Sequence, residues 1–284
     1  MAVARKYLSY FQGAIADWEA PDQRRLRHVV PENRLRLYDM REIIDTIADM
    51  GSVLEIREKF GIGVITAFIR VEGKPMGVIA NNPHHLAGAI DSDGADKGAR
   101  FLQLCDAFDI PLLSLMDCPG MMVGPDVEAT ALVRHCARMF NTGANLSVPL
   151  FGVVVRKAYG LGVQAMCGAS SLVGFFTVAW PTAEFAGMNI EGSVKLGYRK
   201  ELEAIEDVDE RREEFDRRVA SAYHSGRVVN RLMIPIFTRL STMIAIRVFE
   251  KLSKTIELLG LKSARNARSS VPMNPTQMTC FKNA

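Results

Sequence analysis

Apolar and polar positions along the chain fall into successive regimes with different periods. Through residue 35 the sequence is charged and only weakly periodic, as a leader or linker ahead of a domain would be. Asp39 then stands as a helix N-cap, because its carboxylate can accept the free N–H groups of a first turn. Ile43, Ile44, Ile47 and Ala48 make one apolar face, and Gly51 is expected to end that helix. From residue 63 the period shortens: Val64–Val71 reads as a strand, Glu72-Gly73-Lys74 as a tight turn, and residues 75–80 as the returning strand. An amphipathic helix over 93–108 follows, then a short apolar strand at 111–116 of the kind covered on both faces. Residues 126–144 read as helix, 150–155 as strand, 162–168 as a short helix and 172–179 as strand, and Pro181 is placed to open another helix. Strands alternating with helices predict an α/β fold with parallel strands and right-handed crossovers. Residues 201–218 are nearly all charged and read as a solvated helix held by i,i+4 pairs.

Composition narrows the class. The 284 residues are 48% apolar and 24% charged, with a formal net charge of +3, which is ordinary for a globular chain and too small to argue for nucleic acid. Five cysteines (Cys105, Cys118, Cys136, Cys167, Cys280) lie far apart with no CxxC pair, which reads as free thiols in a reducing compartment. His84 and His85 have no cysteine at ligand spacing, so no metal is expected. Residues 1–10 carry Arg5 and Lys6 but no apolar core or cleavage site of a signal peptide, and the chain reads as cytoplasmic. The apolar run 232–249 is interrupted by Pro235, Arg239 and Arg247, and is expected as a partner-facing or buried helix rather than a membrane span.

Candidate chemistry gathers where strands run into loops. These are Asn81-Asn82-Pro83, then Asp117-Cys118-Pro119-Gly120, then Arg156-Lys157-Ala158-Tyr159-Gly160-Leu161-Gly162. In open α/β sheets ligands bind at the carboxyl ends of strands. The third loop places Gly-Leu-Gly at a helix start, where unpaired N–H groups can hold a developing oxyanion, each donor worth about 2.7–4 kcal/mol. The same pattern fits a phosphate cradle or a plain tight turn. It lacks the last glycine of GxGxxG, and the following strand has no acid to bind a ribose. His135 fits a satisfied position on a helix, and Ser170-Ser171 has no neighbouring His or GxSxG elbow. Asp117, before Pro-Gly, reads first as a residue capping its own loop. The chain therefore offers oxyanion donors without a convincing side-chain base, as though the reaction brings its own.

At these loops the sequence resembles the C-terminal domain of the carboxyltransferase subunits of propionyl-, acetyl- and methylcrotonyl-CoA carboxylases. The matching stretches include Tyr38-Asp39-Met40-Arg41, Asn81-Asn82-Pro83, Lys97-Gly98-Ala99-Arg100-Phe101, Asp117-x-Pro-Gly120, Arg156-Lys157-Ala158-Tyr159-Gly160 and Ala179-Trp180-Pro181-Thr182-Ala183-Glu184, in family order over residues 36–230. The resemblance implies a crotonase-like (ClpP/crotonase) α/β fold of repeated β-β-α units with a helical C-terminal extension. It implies transfer of a carboxyl group from carboxybiotin to the α carbon of an acyl-CoA. The N-terminal domain holds acyl-CoA, the C-terminal domain holds biotin, and the freed ureido nitrogen acts as base. Biotin arrives on a biotin carboxyl carrier protein loaded by biotin carboxylase, and a homo-oligomer is expected. The biotin-side oxyanion hole falls on Leu161 and Gly162, with Gly160 shaping the turn. Tyr159, Gln164, Asn82, Pro119 and Gly120 are the candidate substrate and biotin contacts, Gln164 at a position that influences the acyl chain.

Two departures qualify that expectation. Only about 35 residues precede the match, so a CoA-binding domain is expected on a partner. Basic and apolar sequence at 231–252 stands where relatives carry an acidic segment containing Ile-Asp-Pro, and residues 231–284 read as an atypical helical, partly disordered tail. The chain is then one subunit of a split carboxyltransferase or a truncated product. The alternatives are a subunit of a biotin-dependent acyl-CoA decarboxylase, or a crotonase-fold interaction protein without catalysis.

Overall fold

The computed structural model describes residues 1–169 and 174–227. Seven strands form one sheet: β1 (Leu54–Glu55), β2 (Val64–Val71), β3 (Lys74–Asn81), β4 (Leu112–Cys118), β5 (Leu150–Tyr159), β6 (Phe176–Ala179) and β7 (Glu184–Ala186). The order is β1-β2-β3-β4-β5-β6, with β7 pairing the C-terminal end of β5. The first three strands are antiparallel, and every later pairing is parallel. Glu72 and Gly73, both at positive φ, make the two-residue β2–β3 turn in register from Val64↔Asn81 to Val71↔Lys74.

Side chains alternate between two cores, as a period of two requires. Val64, Phe68, Ile79, Leu112, Met116, Leu150 and Val154 face one core; Ile65, Ile69, Val78, Leu113, Leu115, Phe151 and Val153 face the other. The first core is covered by α4 (Ser92–Ala107) and α6 (Leu132–Ala144), which also pack on each other. The second is covered by α2 (Leu26–Val29) and α3 (Met40–Ile47). Asp39 caps α3 as expected, accepting the Arg41 N–H at 3.0 Å. That helix stops at Ile47, short of Gly51. The reason is Asp49, whose N–H donates to the Arg70 carbonyl and whose carboxylate accepts the N–H groups of Glu72 and Gly73.

Residues 1–35, expected as a leader or linker, instead contribute to both cores. α1 (Ala2–Ser9) leads to Tyr10, which is 1% exposed, stacks on Phe68 at 5.3 Å and donates its hydroxyl to the Ser52 carbonyl. Leu26 and Val30 are buried in the second core.

Three other segments differ from their patterns. The helix expected over 126–144 is broken into α5 (Pro125–Glu128) and α6 by Ala131 at φ +59°, beside Thr130, whose hydroxyl turns back to the Val127 carbonyl. Pro181 opens no helix. Trp180 N–H donates to the Val154 carbonyl at 2.8 Å and Thr182 Oγ1 to the Val155 carbonyl at 2.7 Å, which holds the segment beside β5 and carries it into β7. The charged stretch 201–218 lies across α9 (Arg199–Glu203) and α10 (Val208–Gly226), which follow α8 (Ile190–Gly197); Asp207 caps α10 through the Glu210 N–H at 2.8 Å. The i,i+4 pairs Arg199–Glu203 and Arg218–Glu214 do form. Ser170-Ser171, the start of the strand expected at 172–179, the run 232–249 and the tail lie outside the described residues. Among the described residues no helix is long and apolar enough to cross a membrane, and Cys105, Cys118, Cys136 and Cys167 are free, buried thiols.

Candidate functional site

The site is built where β5 ends. β5 passes directly into the short helix α7 (Gly160–Met166), with Tyr159 as N-cap. The first N–H groups of a helix have no intrahelical acceptor. The Tyr159 side chain does not cap them: it turns inward, and its buried hydroxyl donates to Glu184 Oε2 at 2.9 Å. Burial first, then the Glu184 charge, holds that phenol far above its ordinary pKa. Gly160 sits at φ +54°, and a Cβ there would lie 2.7 Å from the Gly187 carbonyl oxygen, so both its backbone and its space require glycine. Leu161 is 61% exposed, with Gln164 exposed one turn later on the same face, whereas Gly162, Ala165 and Met166 pack inward.

The other two strand ends close on this turn. A Cβ on Gly162 would meet Cys118 Sγ at 2.5 Å and Gly120 Cα at 2.8 Å, so α7 lies against the Cys118-Pro119-Gly120 loop with no side chain between. Gly120, itself at φ +133°, accepts the Ile90 N–H on its carbonyl at 3.1 Å, and Met122 N–H donates to Ile90 at 2.9 Å. That short bridge draws in the loop after β3. Gly160, Leu161, Gly162, Pro119, Gly120 and Tyr159 therefore come together. Asn82 does not join them as a free group: its Nδ2 donates to the Ile62 carbonyl at 2.9 Å, in the segment before β2, and its Oδ1 accepts the His84 N–H of its own loop, so both ends of its amide are occupied. Asn81 makes the link instead, bridging the Gly88 carbonyl (3.0 Å) and the Asp117 N–H (3.2 Å).

Beneath the turn lies a buried polar cluster around Asp117. Its Oδ2 accepts Tyr38 OH at 2.9 Å and Arg156 Nε at 3.1 Å, and its Oδ1 accepts the Lys157 N–H at 3.1 Å. Arg156 Nη1 continues to the carbonyls of Arg34 (3.3 Å) and Arg36 (2.8 Å). The cause is a bulge in the β4–β5 ladder. Pairing steps from Met116↔Val154 to Cys118↔Ala158, leaving Val155, Arg156 and Lys157 opposite Asp117 alone. A bulge strips backbone groups of ladder partners, and the Asp117 carboxylate supplies the missing acceptor. Asp117 is thus structural, as its loop position suggested, although it joins two strands rather than capping its own loop. His135 is likewise satisfied, with Nδ1 3.1 Å from Asp96.

The α7 turn is legible in the sequence, and its supports are not. Tyr38, Arg156 and Glu184 were visible only as parts of motifs, since partners 25, 39 and 79 residues apart carry no periodic signature. Lys97 was also missed. It is 1% exposed in α4, its Nζ has no hydrogen-bond partner among the described residues, and burial lowers its pKa to about 8 despite the nearby Glu55. Among the described residues no three potential ligands cluster to hold a metal ion.

A carboxyltransferase subunit of propionyl-CoA carboxylase from Haloferax mediterranei is 37% identical over 203 residues, which is 71% of this chain and 39% of the relative. The structure of a single-chain, multi-domain long-chain acyl-CoA carboxylase superposes with TM-score 0.75 at 53% identity, over 81% of this chain and 23% of that one. The hexameric transcarboxylase 12S, solved with methylmalonyl-coenzyme A bound, superposes with TM-score 0.73 at 28% identity, over 96% of this chain and 52% of that one. The fold is accordingly crotonase-like α/β. The chain spans about two fifths of the length of the curated relatives it matches. Residues 2–246 match the family model of the carboxyl transferase domain, and the chain belongs to that family.

Proposed function

We propose that this chain forms the biotin-side half of an acyl-CoA carboxyltransferase, moving a carboxyl group between carboxybiotin and the α carbon of an acyl-CoA. The observation that carries the reading is the α7 turn, in which first-turn N–H groups stand uncapped by any side chain where three strand ends meet. The Leu161 and Gly162 N–H groups hold the ureido oxygen of biotin as it gains negative charge, and Gly160 makes the turn that aims them. Fixed main-chain dipoles need no reorganisation during the reaction, which is what makes such donors effective. Leu161 replaces nothing essential, because the donor is the backbone and its helical angles suit any L-residue. Gln164 and Leu161 line the open side, and Pro119 and Gly120 wall the other.

The proton acceptor is the ureido nitrogen released by decarboxylation, so no side-chain base is needed. That agrees with a site whose acids and phenols are tied into structural pairs. Biotin enters as a substrate carried on a biotin carboxyl carrier protein. The CoA-binding surface comes from a second domain, on a partner or elsewhere in an oligomer, consistent with the hexameric relative. The test is to combine the purified chain with a CoA-domain partner, free biotin and malonyl-CoA or methylmalonyl-CoA. Biotin-dependent decarboxylation supports the reading. Biotin-independent loss of CO2, or none with a partner shown to bind, contradicts it.

A further inference from the structure

Lys157, on β5, reaches both the end of β4 and the loop after β3. Its backbone N–H donates to Asp117 Oδ1 at 3.1 Å, and its Nζ lies 3.4 Å from the same oxygen. The Nζ also donates to the Ala87 carbonyl at 2.6 Å, seventy residues away in the loop after β3. That loop is not relaxed. Leu86 (φ +48°) and Ala87 (φ +53°) are successive non-glycine residues in the left-handed region, followed by Gly88 at φ +91°. The strained pair turns the Ala87 carbonyl onto the ammonium, and the next residue must be glycine, because a Cβ on Gly88 would run into the Asp117 carbonyl oxygen. From there the same loop reaches Ile90, which bridges to Gly120, the residue against which Gly162 packs.

We infer that Lys157 is a positioning residue: its ammonium clasps the 84–91 loop and the Asp117 carboxylate together, and so sets the wall against which the α7 amides are aimed. The inference rests on the proposed function only for its catalytic consequence. Its side chain is 17% exposed, so replacing it need not open the core, unlike replacing Asp117 or Arg156. It acts through the Gly120 wall and is not required to touch substrate.

The test compares the full chain with Lys157→Met and Lys157→Arg, by peptide-resolved hydrogen exchange and by biotin-dependent decarboxylation with the CoA-domain partner. In Lys157→Met, peptides spanning 84–91 and 118–122 should exchange faster, while those of α4 and α6 keep their wild-type protection. With the wall displaced, kcat should fall about 10- to 100-fold with KM for biotin within about twofold, since misplacement by about 1 Å can cost that much. Lys157→Arg, which keeps a cationic donor, should recover most of both. Unchanged exchange at 84–91, loosening spread over the whole chain, or full kcat with a loosened loop would each overturn the inference. A wild-type chain with no biotin-dependent turnover defeats the functional reading instead. The exchange pattern then decides the clasp by itself: selective loosening supports it, and its lack overturns it.

Discussion

Lys97 presents the sharpest residue-scale energetics. A buried ammonium without a hydrogen bond is costly, and Glu55, the charge that attracts it most, is already held bidentately by Arg41 at 2.9 Å. Met has a similar length and no charge, so Lys97→Met should raise stability by about 1–3 kcal/mol at pH 7, read from urea midpoints. The pH dependence has a definite sign. The folded-state pKa, about 8, lies below the unfolded value of 10.5, so between them the unfolded chain binds the extra proton and stability rises with pH. Below pH 8 both states are protonated and the penalty is constant. The advantage of Lys97→Met should therefore shrink between pH 8 and 10; a constant advantage would show that the amine is not the source. Gly162 makes the opposite case. A methyl group there would press Cys118 Sγ and Gly120, so Gly162→Ala should destabilise by about 1–3 kcal/mol and weaken biotin binding together, measured by urea denaturation and by titration with biotin.

Among the elements, the hydrophobic period was a reliable guide wherever burial alone decides. β2, β3 and β4 alternate between two cores, and α3 shows its apolar stripe, so their positions were legible. The α7 turn was legible because glycine spacing reports backbone geometry directly. What could not be read were decisions made by distant hydrogen bonds. β5 runs four residues past its expected end because the Asp117 carboxylate fills its bulge, and Pro181 precedes a strand because β5 carbonyls hold Trp180 and Thr182. The break between α5 and α6 offers a test. Ala131 is exposed and left-handed, a conformation costing about 1–2 kcal/mol for an L-residue. Glycine removes that strain but adds unfolded-state entropy worth about 0.4–1 kcal/mol. Ala131→Gly should thus gain about 0.5 kcal/mol, seen as a small rise in the urea midpoint with an unchanged slope.

Across the whole molecule, the first thirty residues decide how the sheet is closed. A charged, weakly periodic stretch reads as a linker because its few apolar residues are irregularly spaced, yet those residues are the ones that pack. Tyr7, Tyr10 and Phe11 form an aromatic cluster on Phe68, with ring centroids 5.3–5.8 Å from it, and Phe11 also meets Phe108 at 4.7 Å. The backbone of this stretch is used too: Arg70, buried on β2, donates to the carbonyls of Ser9 at 2.7 Å and Gly13 at 2.9 Å. Removing residues 1–13 would expose the Phe68 face and leave the Arg70 guanidinium with fewer acceptors. Losing the cover of a buried aromatic costs about 3–5 kcal/mol, and a partly unpaired buried charge adds to it. The truncated chain should therefore lose most of the stability of an ordinary domain, about 5–15 kcal/mol, and unfold at low urea. A dispensable leader would leave the midpoint where it was. Tyr10→Phe separates the two contributions, because it keeps the stack on Phe68 and removes only the hydroxyl bond to Ser52; its cost should be about 0.5–1.5 kcal/mol, a small part of the truncation's. The proposed biotin-side site is carried by the ends of β3, β4 and β5 in the same sheet, and β3 pairs directly with β2, so whatever destabilises β2 also loosens the strands that carry it, and the truncated chain should lose biotin binding in step with its urea midpoint.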